Sequence, residues 1–309
     1  MNPAMSVVLF TTIAGAAQGL VVTLALAQLA GLSMAAEFVG VSLLLAGAML
    51  LIGLGASFAH LGRPERAWRA ALMWRTSWLS REVILLPAFI AVVALWWWVQ
   101  RSGGVTTWLC VVALLLAAAL WYCTAMIYAC LRFIEEWAQP LTLVNFVLIG
   151  MSSGLVLASA LAAWQGQAAL LAAAGPAALV FTLAAGTTRW LALRRNARLR
   201  HTSTLQSATG IRAPKLVQTS MGMSAGAFNT REFFHGRSLA ALRHTRWLFL
   251  VLCFAAPAVL MVLALLDAFD PSGLWMLACA VQAPGLLAER WFFFAQAKHP
   301  QNLYYQVVS

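Results

Sequence analysis

Long apolar runs dominate the chain, and each is about as long as a membrane-crossing helix. A helix needs about 20 apolar residues to cross the hydrocarbon core, and no run shows the alternation of a β-barrel strand. The pattern therefore predicts an all-α integral membrane protein. It is a bundle of about eight transmembrane helices that forms a single polytopic domain over 1–309. The predicted spans are 6–31, 38–60, 82–100, 106–131, 141–164, 168–193, 246–266 and 273–295.

Two polar segments interrupt the apolar pattern. The first, FAHLGRPERAWRAALMWRTSWLSREV at 58–83, contains one histidine, five arginines and two glutamates. Within it, Glu65 to Arg75 is predicted to form a short interfacial helix. Ser77 or Ser80 is predicted to cap the third transmembrane helix, which places Glu82 in the first turn of that helix. The second segment, 194–245, is predicted to be an extramembrane loop, either a solvated basic loop or one that becomes ordered against a partner.

Composition and charge indicate how the bundle is oriented. The chain is 62% hydrophobic and 9% charged, with a mean hydropathy of +0.83 and a net charge of +11, which excludes an ordinary soluble domain. Eight crossings place 19 of the 20 Lys and Arg on one side, Arg189 and Arg290 among them, and leave only Arg101 opposite; Glu289 is counted on the same side. The positive-inside rule then puts this side in the cytoplasm. Attraction to anionic lipid and docking of an acidic partner are further explanations for the charge. The sequence contains no recognised nucleic-acid-binding motif that would support binding to DNA or RNA.

His60 and Glu82 are predicted to lie near the same membrane surface, and together they can do acid–base chemistry. They could exchange the two protons that accompany quinone reduction or quinol oxidation. Arg63 and Arg81 would favour an ionised carboxylate and stabilise a partly reduced ring oxygen. The structural alternative is that Glu82 only complements a helix dipole and that His60 only binds a loop. All five histidines lie at helix ends, in the loop or in the tail, so a bis-histidine haem is not expected.

Five stretches of sequence resemble a known family. They are HLGRP at 60–64, TSWLSRE at 76–82, TAMIYACLRFIEEW at 124–137, PLTLVNFVLIG at 140–150 and FNTREFFHG at 228–236. Together they resemble the membrane anchor subunit of dimethyl-sulfoxide-reductase-type molybdoenzymes, and the likeness covers essentially the whole chain. The resemblance implies a heterotrimer. Its other members would be a catalytic subunit with molybdopterin guanine dinucleotide and a ferredoxin-like iron–sulfur subunit with four 4Fe-4S clusters.

The same resemblance implies that His60 and Glu82 bind and convert the quinone, and that this chain itself holds no metal, haem or iron–sulfur cluster. The predicted site for ubiquinone or menaquinone consists of His60, Arg63, Trp78, Arg81 and Glu82. Seven residues on the basic side are predicted to contact the partner subunits. They are Arg66, Arg69, Arg75, Arg132, Arg231, Phe233 and Phe234.

Orientation bears on the substrate of the complex. Dimethyl sulfoxide reductases of this type have the catalytic subunit in the periplasm, whereas related quinone-linked sulfite dehydrogenases keep it in the cytoplasm. A cytoplasmic basic side therefore makes the chain more similar to the sulfite dehydrogenase branch, in a bacterial inner membrane. The alternatives are an anchor that oxidises menaquinol for a dimethyl sulfoxide reductase, a purely structural anchor without a quinone site and, more remotely, a transporter or channel.

Overall fold

Eight membrane-length helices span the described residues, as the apolar pattern predicts. The computed structural model describes residues 3–59, 61–217, 219, 239–267, 270–300 and 303. The elements are α1 (Met5–Leu29), α2 (Ala36–Phe58), a 3₁₀ helix (Pro64–Met73), α3 (Trp78–Arg101), α4 (Thr107–Ala129), α5 (Pro140–Trp164), α6 (Ala168–Ala197), α7 (Leu205–Thr209), α8 (Leu239–Phe249), a π-helical turn (Leu250–Ala255), α9 (Ala256–Leu265) and α10 (Pro271–Ala295). The elements α8, π-helical turn and α9 follow without a break and form the seventh crossing.

Several helix bounds differ from the predicted ones at the charged ends. The predicted interfacial helix is present over Pro64–Met73, but it is a 3₁₀ helix. The α3 helix begins at Trp78 because the Ser77 hydroxyl accepts a hydrogen bond from the Ser80 amide at 3.3 Å. The prediction that Glu82 lies in the first turn was therefore wrong: Glu82 lies a turn further inside the helix.

The predicted loop at 194–245 is also shorter than expected at both ends. The α6 helix continues to Ala197, and α8 already begins at Leu239. Arg194 and Arg195 in the last turn of α6 complement the negative end of its dipole, so these charges extend the helix beyond the apolar run.

The centre of the bundle is formed by α1 and α5, which bury a larger share of their residues than any other membrane-length helix described. Their backbones approach closely at two glycines. A Cβ on Gly19 would overlap the carbonyl oxygen of Gly150, and a Cβ on Gly154 would overlap the backbone of Gly19. Small residues allow such close contact between helices in a membrane. The remaining helices pack around this pair, with α4 and α10 both in contact with α1 and α5.

One end of the bundle carries the connections that follow α2, α4 and α6, together with the start of α1 and the end of α10, and is called the basic side below. Two of these connections are joined there. Arg195 Nη1 donates to the Glu135 carbonyl at 2.5 Å, and both the amide and the hydroxyl of Thr202 donate to the Glu135 carboxylate. The segment after α6 is thereby held against the segment between α4 and α5.

Candidate functional site

A cleft lies between α1, α4, α5 and α10 in the half of the bundle nearest the basic side. It is narrow and partly open to the surroundings, with a cavity volume of about 20 Å³, which is room for about one water molecule. Thr124 on α4 and Arg290 on α10 line it, and each lies about 8 Å along its helix from the basic-side end. Other lining residues include Thr12, Gln18, Trp121 and Phe146. The cleft thus combines polar groups and an aromatic ring at a depth within the membrane-spanning segments.

Glu82 lies directly behind one wall of this cleft. Its side chain is 5% exposed, and its carboxylate accepts a hydrogen bond from the Thr124 hydroxyl. No Lys, Arg or His in the described part of the chain forms an ion pair with it. Since Thr124 lines the cleft, a single residue separates the Glu82 carboxyl group from the cleft. An ionisable group at this depth is a candidate for function by default.

Arg81 and Trp78, the other α3 residues of the predicted site, lie together at the surface. The Arg81 guanidinium donates to the carbonyl oxygens of Trp74 at 2.9 Å and Arg75 at 2.8 Å. It also lies 4.1 Å from the centre of the Trp78 ring. Arg81 therefore ties the end of the 3₁₀ helix to α3. Neither residue lines the cleft, and Arg63 is exposed just before the 3₁₀ helix.

The remaining predicted residues fall into two groups. His60 lies outside the described residues, and so do Arg231, Phe233 and Phe234. Four predicted docking residues are described and all are exposed on the basic side. They are Arg66, Arg69, Arg75 and Arg132.

A buried charged cluster on α6 and α10 was missed by the sequence analysis. Glu289 Oε1 lies 2.6 Å from Arg189 Nε, and Glu289 Oε2 lies 3.6 Å from Arg290 Nε. The three residues are between 1% and 4% exposed, so counting them with the basic surface was wrong. The signal was present in the sequence: a Glu–Arg pair inside the predicted span 273–295 marks ionisable groups within the membrane.

Several polar atoms in the cleft walls have no hydrogen-bond partner among the described residues. They include Gln18 Oε1, Trp121 Nε1 and Thr12 Oγ1, and both Gln18 and Trp121 are more than nine-tenths buried. Buried polar groups are almost always paired, so unpaired ones in the cleft walls call for a partner such as a bound water. Trp121 Nε1 and the Thr12 hydroxyl can donate a hydrogen bond, whereas Gln18 Oε1 can only accept one. In the described part of the chain, no group of three His, Cys, Asp or Glu residues could hold a metal ion.

Comparison with known proteins gives two matches. Residues 1–283 match the family described as DMSO reductase anchor subunit (DmsC). The chain is also 48% identical to a subunit of the sulfite dehydrogenase of Allochromatium vinosum, in an alignment that covers the whole of both chains. Glu289 and Arg290 lie beyond the range that matches the family, although the relative aligns with them.

Proposed function

The chain belongs to the DMSO reductase anchor subunit family, and from this premise we propose that it is a quinone-reactive anchor for a molybdenum and iron–sulfur oxidoreductase. In this proposal the complex passes electrons from cytoplasmic sulfite oxidation to the quinone pool. The name of the 48% identical relative, which is a sulfite dehydrogenase subunit, supports sulfite as the electron donor. The strongly basic side, which the positive-inside rule assigns to the cytoplasm, supports the location.

The proposed reaction divides between the subunits. In the catalytic subunit, sulfite and water would give sulfate, two protons and two electrons, and a molybdenum cofactor held there would supply this chemistry. The iron–sulfur subunit transfers the electrons to the basic side of this chain. A bound quinone takes up two electrons and two protons and leaves as quinol. Because electron tunnelling weakens steeply with distance, the quinone must bind in the half of the bundle nearest the partner, which is where the cleft lies.

One observation carries the quinone proposal: the buried Glu82 carboxylate is hydrogen-bonded to Thr124, and Thr124 lines the cleft. A carboxyl group in this position can deliver a proton to a ring oxygen through the Thr124 hydroxyl, or take one back when the reaction is reversed. The proposal keeps His60 as a second proton-exchanging residue, on the strength of the HLGRP motif. The unpaired polar atoms in the cleft walls support the presence of a bound group or water there.

Replacing Glu82 tests this proposal. In the purified complex, Glu82→Gln should lower sulfite-dependent quinone reduction by about a hundredfold, because positioned general acids contribute about 10²- to 10⁴-fold. Reduction of an artificial dye, which takes electrons from the partner subunits, should be retained. His60→Ala should give the same pattern.

Glu37→Gln is the matched control, because Glu37 is an exposed carboxylate in the first turn of α2, at the opposite end of the bundle. It should leave both activities unchanged. Normal quinone reduction by the Glu82→Gln complex would contradict the proposal and would support a purely structural anchor.

A second candidate is the anchor of a dimethyl sulfoxide reductase that oxidises menaquinol, and the family match favours it. The two candidates require opposite electron flow through the same cleft. Sulfite-dependent reduction of quinone by the purified complex supports the first. Dimethyl sulfoxide reduction driven by a reduced menaquinone analogue, without sulfite oxidation, supports the second.

A further inference from the structure

Arg290 has an environment that the proposed role of Glu82 does not explain. It is 4% exposed, lines the cleft from α10, and lies 4.0 Å from the centre of the Phe146 ring. A guanidinium has five N–H donors, yet no hydrogen bond joins this one to the described part of the chain. It forms one ion pair there, with Glu289 Oε2 lying 3.6 Å from Arg290 Nε. The described residues therefore leave its N–H donors available to a group inside the cleft.

The charges around Arg290 do not balance. Glu289 is shared by two arginines, and it lies much closer to Arg189, at 2.6 Å, than to Arg290. A cluster of two guanidinium groups and one carboxylate has an excess positive charge, and such an excess is costly away from water. An electron-rich oxygen bound at Arg290 would offset that cost. The shared carboxylate also limits where the Arg290 guanidinium can lie.

The opposite wall holds further unpaired polar atoms. Trp121 Nε1 on α4 is buried and unpaired, and the Trp121 indole packs against α5 at Gly150, where a Cβ would lie 2.7 Å from that nitrogen. Gln18 Oε1 on α1 is also unpaired, but it can only accept a hydrogen bond. The Arg290 guanidinium is therefore the group in the cleft that suits an acceptor oxygen on the edge of a flat ring. A phosphate group would be expected to meet several cations, but Arg290 is the one charged residue among those lining the cleft in the described structure.

We propose that Arg290 binds a ring oxygen of the quinone, and that Glu289, braced by Arg189, positions the Arg290 guanidinium. This inference rests on the proposed function and adds the binding cation to it. Negative charge develops on the ring oxygens as electrons arrive before protons. A fixed guanidinium in a site that excludes water stabilises that charge strongly. Arg290 thus serves binding and reduction, whereas Glu82 serves proton exchange.

Substitutions at Arg290 test the proposal in the full purified complex. The probe is a redox-inactive quinone analogue, 2-heptyl-4-hydroxyquinoline N-oxide, whose binding is followed by fluorescence quenching. Arg290→Met should weaken its binding by about ten- to a hundredfold, the range for losing a hydrogen bond to a charged group. The KM for quinone should rise by a similar factor. Arg290→Lys should recover part of the affinity, because it restores the charge without the planar fork.

Arg101→Met is the matched control, because Arg101 is exposed at the opposite end of the bundle and lies 5.4 Å from the centre of the Trp97 ring. It should bind the analogue as the unmodified complex does. Dye-linked sulfite oxidation verifies that each complex is assembled. If the Arg290→Met complex does not assemble, the Arg290→Lys complex is compared with the unmodified complex instead. The Arg290→Lys complex is then expected to bind the analogue several-fold more weakly.

The positioning role of Glu289 has its own readout. Glu289→Gln should raise the KM for quinone, and Glu289→Asp, which keeps the carboxylate, should restore it in part. A merely structural role would lower the yield of complex without a change in KM. Unchanged analogue affinity in an assembled Arg290 variant overturns the assignment, and so does displacement of the analogue by phosphatidylglycerol vesicles instead of quinone. Absence of analogue binding and quinone reduction in the unmodified complex overturns the proposed function itself.

Discussion

Glu135 fastens the segment that follows α6 to the connection between α4 and α5. Its Oε1 accepts hydrogen bonds from the Thr202 hydroxyl at 2.7 Å and from the Thr202 amide at 2.9 Å, and His201 Nδ1 lies 3.8 Å from its Oε2. The bonds from Thr202 lower the pKa of Glu135 below its usual 4.5. A carboxylate with a depressed folded pKa stabilises the structure fully above the unfolded pKa, and the effect is lost as the pH falls through the folded value.

Acidification should therefore release this contact. Between pH 6 and a pH well below 4.5, the hydrogen-exchange protection factor of the Thr202 amide should fall about fivefold, which corresponds to about 1 kcal/mol for a partly solvated hydrogen bond. In Glu135→Gln the protection should be low at both pH values, because the neutral amide does not titrate. The Gly210 amide, which donates to the Gln206 carbonyl, is an internal control that should not change. Equal pH responses at Thr202 in both proteins would contradict the assignment to Glu135.

Some residues in and behind the cleft could be predicted from the sequence, and others could not. Glu82 could be singled out from the sequence because a carboxylate at the edge of an apolar run is conspicuous, and because it belongs to a motif. Thr124 and Trp121 could not be, since they look like ordinary residues of an apolar helix. Only the packing of α3 against α4 brings the Thr124 hydroxyl to Glu82. Arg290 could have been found by asking why a charged pair lies inside a predicted span.

The 3₁₀ helix is an exposed element with both basic and apolar side chains. Trp68 is 62% exposed and Leu72 is 63% exposed, and Arg66 and Arg69 of the same element are exposed as well. Such a surface suits an acidic partner with an apolar patch, because aromatic residues and arginines provide much of the energy in protein interfaces. We infer that the 3₁₀ helix is part of the surface to which the iron–sulfur subunit binds.

Replacing both Arg66 and Arg69 by Glu reverses their charge and should weaken the binding of the partner subunits to this chain. After a wash at moderate ionic strength, dye-linked sulfite oxidation should move from the membrane to the soluble fraction, since exposed charge pairs are screened by salt. Arg101→Glu at the opposite end is the control and should keep the activity on the membrane. If the doubly reversed chain retains its partners as firmly as the control, this element does not carry the docking surface.

Helix bounds were predictable from hydropathy except where charges begin. The predicted start of α3 at 82 follows from the end of the apolar run, whereas the helix itself starts at the Ser77 cap. The same error occurred at the end of α6, where Arg194 and Arg195 continue the helix beyond the predicted 193. A charged residue ends the apolar run, but it does not end the backbone hydrogen bonding of the helix. The end of the helix is set by capping residues and by charges that complement the helix dipole.

At the scale of the whole molecule, three features lie toward the same end of the bundle. The cleft with Glu82 behind it, the exposed arginines and the connections joined through Glu135 all lie in the half nearest the basic side. Under the proposed function, this arrangement would give electrons a short path from a docked partner to a bound quinone. Proton exchange would then occur at the same side, so quinone reduction would not carry charge across the membrane.

The orientation of the whole bundle can be tested with a native cysteine. Cys130 follows α4 on the basic side and is exposed, whereas Cys110, Cys123 and Cys253 are buried. In the chain freed of its partners, a membrane-impermeant maleimide should label Cys130 in inside-out vesicles and leave it unlabelled in right-side-out spheroplasts. Cys130→Ser should abolish this labelling, which excludes a contribution from the partly buried Cys279 in α10. Labelling from the periplasmic side alone would place the partner subunits outside, and would favour the dimethyl sulfoxide reductase alternative over cytoplasmic sulfite oxidation.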